Sequence, residues 1–496
     1  MEQRVKKVVI AGGGTAGWCA AAGLSRLLGP LLDITLVESE DIGTVGVGES
    51  TIPTVGNFHR FIGVDEREFL RATNATFKLG IAFEEWARLG DRYIHSFGVV
   101  GKSPWMAPFH HMWLQARAEG WGGDLADYCF ELQAGEAGKF ETAENARINY
   151  AYHLDAGLYG QFLRKLSEAA GVKRVEGKIA RVEQDAESGF ITALTMESGD
   201  RIDGDLFIDC TGFRGLLIEQ TLKTGFEDWG HWLPTDRALA VQTESVGRLM
   251  PYTRASAHDA GWRWRIPLRN RVGNGLVYCS ANLSDDEAHN RLVSSLDAPA
   301  LIEPRLIRYA TGRRLQAWNK NCVAFGLASG FVEPLESTSI HLFQLGITRL
   351  VQMFPFAGIT DAAITHYNEM SRKELEGVRD FVVLHYKATE RDDSAFWRDR
   401  RDMAIPDSLA QRIALFTQSG HAYQEAGELF RLDSWLQVML GQRLEPRSWH
   451  LLGRLMDSGE LKTALNGLKS HIAGAVARMP THEQFLERYC GLMAAE

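Results

Sequence analysis

The chain has few of the residues that build metal centres or disulfide frameworks. Its six cysteines, at positions 19, 129, 210, 279, 322 and 490, include no C-x-x-C pair, and no histidine or cysteine spacing fits a metal-ligand pattern. Isolated thiols exclude a zinc module and a disulfide-stapled secreted scaffold, and they imply a reducing, cytoplasmic setting. No hydrophobic run reaches the length of a membrane span. The first apolar strand begins within a few residues of Met1, which leaves no space for a signal peptide. Positive charge is in deficit too. A formal net charge of −9 supplies no long-range attraction for nucleic acid or an anionic membrane. Internal repeats and low-complexity segments are absent.

What remains is the composition of a large globular protein, 45% hydrophobic and 24% charged over 496 residues, enough for more than one domain. Its organising stretch is VVIAGGGTAGW, residues 8–18. Val8, Val9 and Ile10 read as a buried strand, and Ala16 to Leu28 reads as a helix. Gly12, Gly14 and Gly17 between them have G-x-G-x-x-G spacing. That spacing gives a tight turn, backbone approach to a pyrophosphate, and close helix–strand contact, with the helix N-terminus facing the phosphates. A second strand, Ile34 to Val37, ends in Glu38, placed to accept the ribose hydroxyls of an adenine dinucleotide.

Further along, DIGTVGVGESTIPTV is either a plain connection or a cover over the flavin end of such a cofactor, with Gly46 and Gly48 admitting a ring and Pro53 stiffening the exit. Residues 58–95 read as helix-containing. Within them Lys78 is flanked by Phe77, Leu79, Ile81 and Phe83. Its amine either snorkels to solvent or is buried, with a lowered pKa that suits it to act as nucleophile or donor. In GKSPWMAPFHHMW, Trp105, Phe109, His110, His111 and Trp113 form either an aromatic wall for a planar ligand or a core cluster. Residues 172–205 alternate between Glu-Ser-Gly and Ser-Gly-Asp turns, the pattern of an antiparallel meander, and Leu206 to Ile208 then leads into Asp209-Cys210-Thr211-Gly212. Trp262 and Trp264 share one face of a strand in GWRWRIPL. Finally, FVEPLESTSI places Ser337 as an N-cap after Pro334, with apolar positions 340, 343, 347, 350 and 354 at helical spacing. The N–H groups at that helix start form an anion site, and Glu336 beside them either acts on a ligand or only complements the dipole. Beyond residue 355 charged helical patterns run to the end, read as a lid.

Taken together these stretches resemble the flavin-dependent tryptophan halogenases, which lie close to the FAD-dependent monooxygenases, over essentially the whole length. The resemblance rests on GGGTAGW, FKLG, WRWRIP, DCTGFRG and FVEPLESTSI. Of these, the W-x-W-x-I-P signature separates halogenases from hydroxylases. It implies an α/β, two-dinucleotide-binding FAD fold of the glutathione-reductase-like, monooxygenase type. A discontinuous core would cover 1–355 and a mostly helical domain 356–496. The cofactor positions it implies are Gly12, Gly13, Gly14, Thr15, Ala16, Gly17, Glu38, Gly48, Glu49, Ser50, Val182, Asp209, Gly212, Leu327 and Ile340, with no metal.

In the mechanism the family implies, FADH2 from a separate NAD(P)H-dependent flavin reductase reacts with oxygen to give a C4a-hydroperoxide. Chloride or bromide, held by Thr338 and Ser339, attacks its distal oxygen. Hypohalous acid then travels through a tunnel to Lys78, and Glu336 polarises the electrophile or takes the arenium proton. Many members have glycine where this chain has Ser339. Phe109, His110 and His111 would hold a small aromatic substrate. The tyrosine pair that grips free tryptophan is replaced by Ser434 and Trp435 in RLDSWLQVML, so an indole or indole derivative is expected in place of free tryptophan. A homodimer is the expected assembly, with no nucleic-acid or membrane partner. Two other readings are an aromatic hydroxylase, which needs no halide, and a flavin-binding sensor or carrier without oxygen chemistry.

Overall fold

The computed structural model describes residues 4–42, 48–103, 107–142 and 148–491. Gly46 and Trp105 lie outside the described residues. By compactness the chain divides into two units of three segments each. The first comprises Met1–Ala75, Leu154–Arg237 and Ile307–Glu376, and the second Thr76–His153, Ala238–Leu306 and Gly377–Glu496. No helix among the described residues is long and apolar enough to cross a membrane.

The first unit is built around the strand Lys7–Ala11. It is buried on both faces, which is why it reads as an unbroken apolar run. Parallel strands Asp33–Glu38 and Leu206–Asp209 flank it, with Val8 opposite both Ile34 and Leu206. Lys173–Glu176 extends one side and Cys322–Ala324 the other, both parallel. Trp318–Asn319 adds an antiparallel edge. The helix Thr15–Leu28 packs against the helices Ala156–Ala169 and Ser339–Gln352, burying Trp18, Cys19, Leu24 and a run of three alanines. The meander forms as its alternation predicts. Ile179–Gln184, Ile191–Met196 and Arg201–Asp203 pair antiparallel, and Ile191, Leu194 and Met196 pack on Val9, Ala11 and Phe207. Each such side chain taken out of water contributes about 1.5–3 kcal/mol.

Residues 58–95 contain helices as read, Val55–Ile62 and Glu66–Ala72, both in the first unit, and the second unit begins with strands. Helices stop at Ala72, and Thr76–Lys78, Gly80–Glu84 and Arg92–Ser96 are strands. The stretch from Ala75 to Phe83 is buried on both faces, so its hydrophobicity carries no period, and its Thr, Phe and Ile residues settle it as strand. Gly80–Glu84 pairs with Arg92–Ser96 on one side. On the other it runs parallel to Thr253–His258, followed by the signature strand Gly261–Pro267 and by Val272–Tyr278. Trp262 and Trp264 do share a face, 1% and 7% exposed, with rings 6.1 Å apart. The C-terminal region is helical, as read. Its helix Leu432–Gly441 is tied to Arg92–Ser96 through Gln437, whose carbonyl oxygen accepts from the Ser96 N–H at 3.0 Å and hydroxyl at 2.9 Å.

Candidate active site

The first unit carries the candidate nucleotide-binding residues. Gly12 has φ +108°, and a Cβ there would stand 2.3 Å from the carbonyl oxygen of Cys210. A Cβ on Gly17 would stand 1.9 Å from the carbonyl oxygen of Gly12. Both glycines are therefore enforced by backbone packing. Gly14 differs. Its conformation is extended (φ −73°, ψ −177°), it caps the helix, and a Cβ would meet nothing within 4 Å. The open side of the loop lies where a pyrophosphate would approach, beside the N–H groups of the first turn at Thr15, Ala16 and Gly17, which have no partner within the helix itself. Over Gly13 lies the carboxylate of Glu38, which accepts from the Trp18 indole N–H at 3.3 Å and the Arg174 guanidinium at 2.5 Å. Arg174 was not legible as a site residue, because it comes from a neighbouring parallel strand.

Gly48, Glu49 and Ser50 form a short strand, and burial together with the nearby Asp155 pushes the Glu49 carboxyl up to about 7. Asp209, expected to contact the cofactor, has its carboxylate engaged by its own turn. It is fully buried, and its carboxylate accepts from the N–H and hydroxyl of Thr211 and from the N–H groups of Leu217 and Ile218, at 2.6–2.9 Å. Its role is to fold the turn that presents Gly212 (φ +68°) to open space. Val182 packs its side chain on the core around Val9 and Phe207. Leu327 sits in a tight turn, where a Cβ on the preceding Gly326 would come within 2.9 Å of Ala16 Cβ.

The same unit holds the candidate anion site. Pro334–Glu336 makes one short turn, closed by the Ser337 N–H donating to the Pro334 carbonyl at 3.1 Å. Ser337 is not the N-cap that its residue type suggests. It takes the left-handed conformation (φ +59°, ψ +34°), which reverses the chain ahead of the helix, and Thr338 becomes the cap position without donating or accepting a side-chain cap bond. A left-handed serine costs roughly 1–3 kcal/mol. The Thr338 side chain makes no cap bond to the N–H groups at the start of Ser339–Gln352. The Thr338 hydroxyl, in a residue 1% exposed, has no hydrogen-bond partner among the described residues. Glu336 is 1% exposed and Ile340 is buried. Glu333 is fully buried and accepts from the Thr235 hydroxyl at 3.1 Å, which in turn accepts from Tyr309.

The second unit carries Lys78 and the aromatic residues. Lys78 is completely buried, so the exposed alternative is excluded, and its Nζ lies 5.2 Å from the centre of the Phe97 ring. Phe109, His110, His111 and Trp113 fall on one buried helix, Phe109–Ala118. Phe109 packs against Tyr128 at 5.1 Å. His110 Nε2–H donates to the Gly420 carbonyl at 2.7 Å, and His111 Nδ1 accepts from the His450 N–H at 3.3 Å. Burial holds both imidazoles neutral, at about 4 and about 3. Ser434 and Trp435 lie on Leu432–Gly441. Trp435 is buried, donates to Glu428 at 3.1 Å and is stacked by Arg412 at 4.0 Å.

A parallel-stranded fold with an enforced glycine turn ahead of a helix defines a dinucleotide-binding α/β protein. The sequence profile of the tryptophan halogenase family matches residues 7–458, and the chain belongs to that family. It is a flavin-dependent halogenase, an oxidoreductase that halogenates aromatic carbon.

The chain is 54% identical to the solved flavin-dependent halogenase Xcc4156 of Xanthomonas campestris, covering 100% of both chains with a TM-score of 0.98. It is 44% identical to BrvH, a flavin-dependent halogenase from Brevundimonas sp. BAL3, covering 98% of this chain and 99% of that one with a TM-score of 0.94. The tryptophan 6-halogenase SttH of Streptomyces toxytricini is 39% identical over 436 residues, 82% of this chain and 83% of the relative.

Proposed function

We propose that this halogenase places chloride or bromide on an indole-type ring, using Lys78 to deliver the electrophilic halogen. The full burial of Lys78 in an apolar strand is the observation that carries this reading. FAD would be held by Gly12 to Gly17, Glu38, Gly48 to Ser50, Gly212, Leu327 and Ile340. When bound as FADH2, supplied by a separate NAD(P)H-dependent reductase, it provides the oxygen activation that turns a halide into hypohalous acid. The halide would rest on the N–H groups of Thr338 and Ser339 and accept from the Thr338 hydroxyl, which has no partner among the described residues, since a small anion needs oriented donors more than a full countercharge.

Hypohalous acid is indiscriminate in water, and an amine enclosed by apolar side chains can hold it by hydrogen bonding away from solvent. The ring carbon then takes the halogen, the hydroxyl leaves as water with the proton carried by Lys78, and the carboxylate of Glu336 takes the ring proton. Phe109, His110 and His111 orient the ring. In the helical region no tyrosine pair stands at Ser434 and Trp435, and Trp435 is engaged in packing, which supports indole or an indole derivative over free tryptophan. With reductase, FAD, NADH and bromide, indole is expected to yield a monohalogenated product with the bromine isotope doublet, at a higher rate than L-tryptophan. A faster reaction with tryptophan would overturn the substrate assignment. A hydroxylated product without halide would overturn the halogenation itself.

The anion site has its own test. Replacing Thr338 with valine removes a buried hydroxyl that pairs with nothing described, so the folded state is expected to be as stable or more so. The KM for halide is expected to rise about tenfold, the worth of one hydrogen bond to a charged acceptor. A drop in melting temperature with unchanged halide KM would show the hydroxyl to be structural.

A further inference from the structure

The signature strand Gly261–Pro267 carries tryptophans into the second unit's core, yet the chemistry proposed above gives it no task. Its final residue does touch the strand that bears Lys78. The Thr76 hydroxyl donates to the carbonyl oxygen of Pro267 at 2.8 Å. Thr76 stands opposite His153 in the antiparallel pair of Thr76–Lys78 with Ala151–Asp155, and Lys78 stands opposite Ala151. Thr76, Lys78 and His153 thus share one face of this ribbon, while Phe77 points to the other and stacks on Phe140.

His153 is fully buried, and its two nitrogens meet two hydroxyls: Nδ1 to Thr76 at 3.0 Å and Nε2 to Thr253 at 2.9 Å. The single Thr76 hydroxyl proton is committed to Pro267, a carbonyl that can only accept. Nδ1 must therefore carry a proton and donate to Thr76. Burial, with Lys78 nearby, holds His153 well below its usual pKa and therefore neutral. Nε2 is then a bare lone pair, and Thr253 donates to it. All protons point one way, from Thr253 through His153 and Thr76 to Pro267.

We propose that this one-way relay fixes the position of Lys78, with His153 and Thr76 as positioning residues and the Pro267 carbonyl of the signature strand as the anchor. The proposal rests on the reading of Lys78 as the halogen-delivering amine. It accounts for the pairing of two stretches far apart in sequence, FKLG and WRWRIP, within one mechanism. A misplacement of about 1 Å at a reacting group can cost on the order of a hundredfold in rate, so a relay that locks the strand's register acts on turnover more than on substrate affinity.

The test uses the full-length enzyme with reductase, FAD, NADH, bromide and indole. Thr76→Val keeps the branched shape and removes the central oxygen. His153→Leu removes the imidazole, and His153→Asn restores an N–H near the Nδ1 position. The expected result is a fall in kcat of roughly ten- to a hundredfold for Thr76→Val and His153→Leu, with the KM for indole unchanged. A phenolic trap in solution should still report hypohalous acid at the wild-type rate, His153→Asn should recover part of the turnover, and the Thr76→Val/His153→Leu double variant should be no slower than either single one. Wild-type kcat in Thr76→Val, additive losses in the double variant, or a loss that only tracks the folded fraction retaining FAD would each overturn the relay. Lys78→Met serves as the control. If it keeps wild-type halogenation, the lysine reading fails. If it is inactive while Thr76→Val is unimpaired, the relay alone fails.

Discussion

Methionine at position 78 is expected to abolish halogenated product, by on the order of a thousandfold or more, while FAD binding and the formation of hypohalous acid continue. The argument starts from burial. Lys78 is fully buried on the strand Thr76–Lys78, with the Phe97 ring 5.2 Å from its amine. Methionine matches the lysine stem in length and apolar surface, and removing an amine from such a setting relieves desolvation. The variant keeps the apolar stem in the strand, and its melting temperature and FAD content, measured beside activity, separate lost chemistry from lost structure. Without an amine, hypohalous acid has no donor to hold it at the ring and escapes to water or to a trap. The measurements are product mass with each halide, and trap oxidation in the same reaction. Halogenated indole at the wild-type rate would remove Lys78 from the chemistry and return the chain to a flavin enzyme whose electrophile acts freely in solution.

Sequence legibility followed the range of the interactions. The strand, glycine turn and helix at residues 7–28 were readable because each glycine answers to neighbours a few residues away and to one returning turn at Cys210. The antiparallel meander was readable for the same reason, since its turns and alternation are local. Lys78 was readable as a candidate only. Its flanking residues permit either a snorkelling or a buried amine, and the pairing of its strand with Ala151–Asp155, far along the chain, is what encloses it. The same distance hid Arg174 at Glu38 and His153 behind Thr76. Ser337 shows the opposite failure, a local rule applied where a stronger one ruled. Serine is a favoured cap, but the turn closed on Pro334 needs a reversal of direction, and that reversal set a left-handed backbone. At Asp209 the residue type was legible, but the four donors of its own turn that hold the carboxylate were not, because the turn's shape sets them.

Two glycines of the same loop should separate folding from cofactor binding. In Gly17→Ala the new methyl would stand 1.9 Å from the Gly12 carbonyl oxygen, a backbone atom that can move only by opening the contact between the helix Thr15–Leu28 and the strand Lys7–Ala11. Overpacking of this kind costs typically about 1–3 kcal/mol and more when backbone must yield. The melting temperature is expected to drop by several degrees or more, and FAD binding to be lost with it. In Gly14→Ala the backbone is already extended and the methyl meets nothing within 4 Å. Alanine is, if anything, favoured there through the unfolded chain, so the melting temperature should hold. Yet that empty space is where a pyrophosphate must approach the backbone to reach the N–H groups of the first turn. FAD affinity, followed by quenching of flavin fluorescence, is therefore expected to weaken by at least about tenfold at unchanged fold, since a displaced charge-assisted hydrogen bond is worth about 1.5–3 kcal/mol. Wild-type FAD affinity in Gly14→Ala would mean that the cofactor's phosphates lie elsewhere than over this loop.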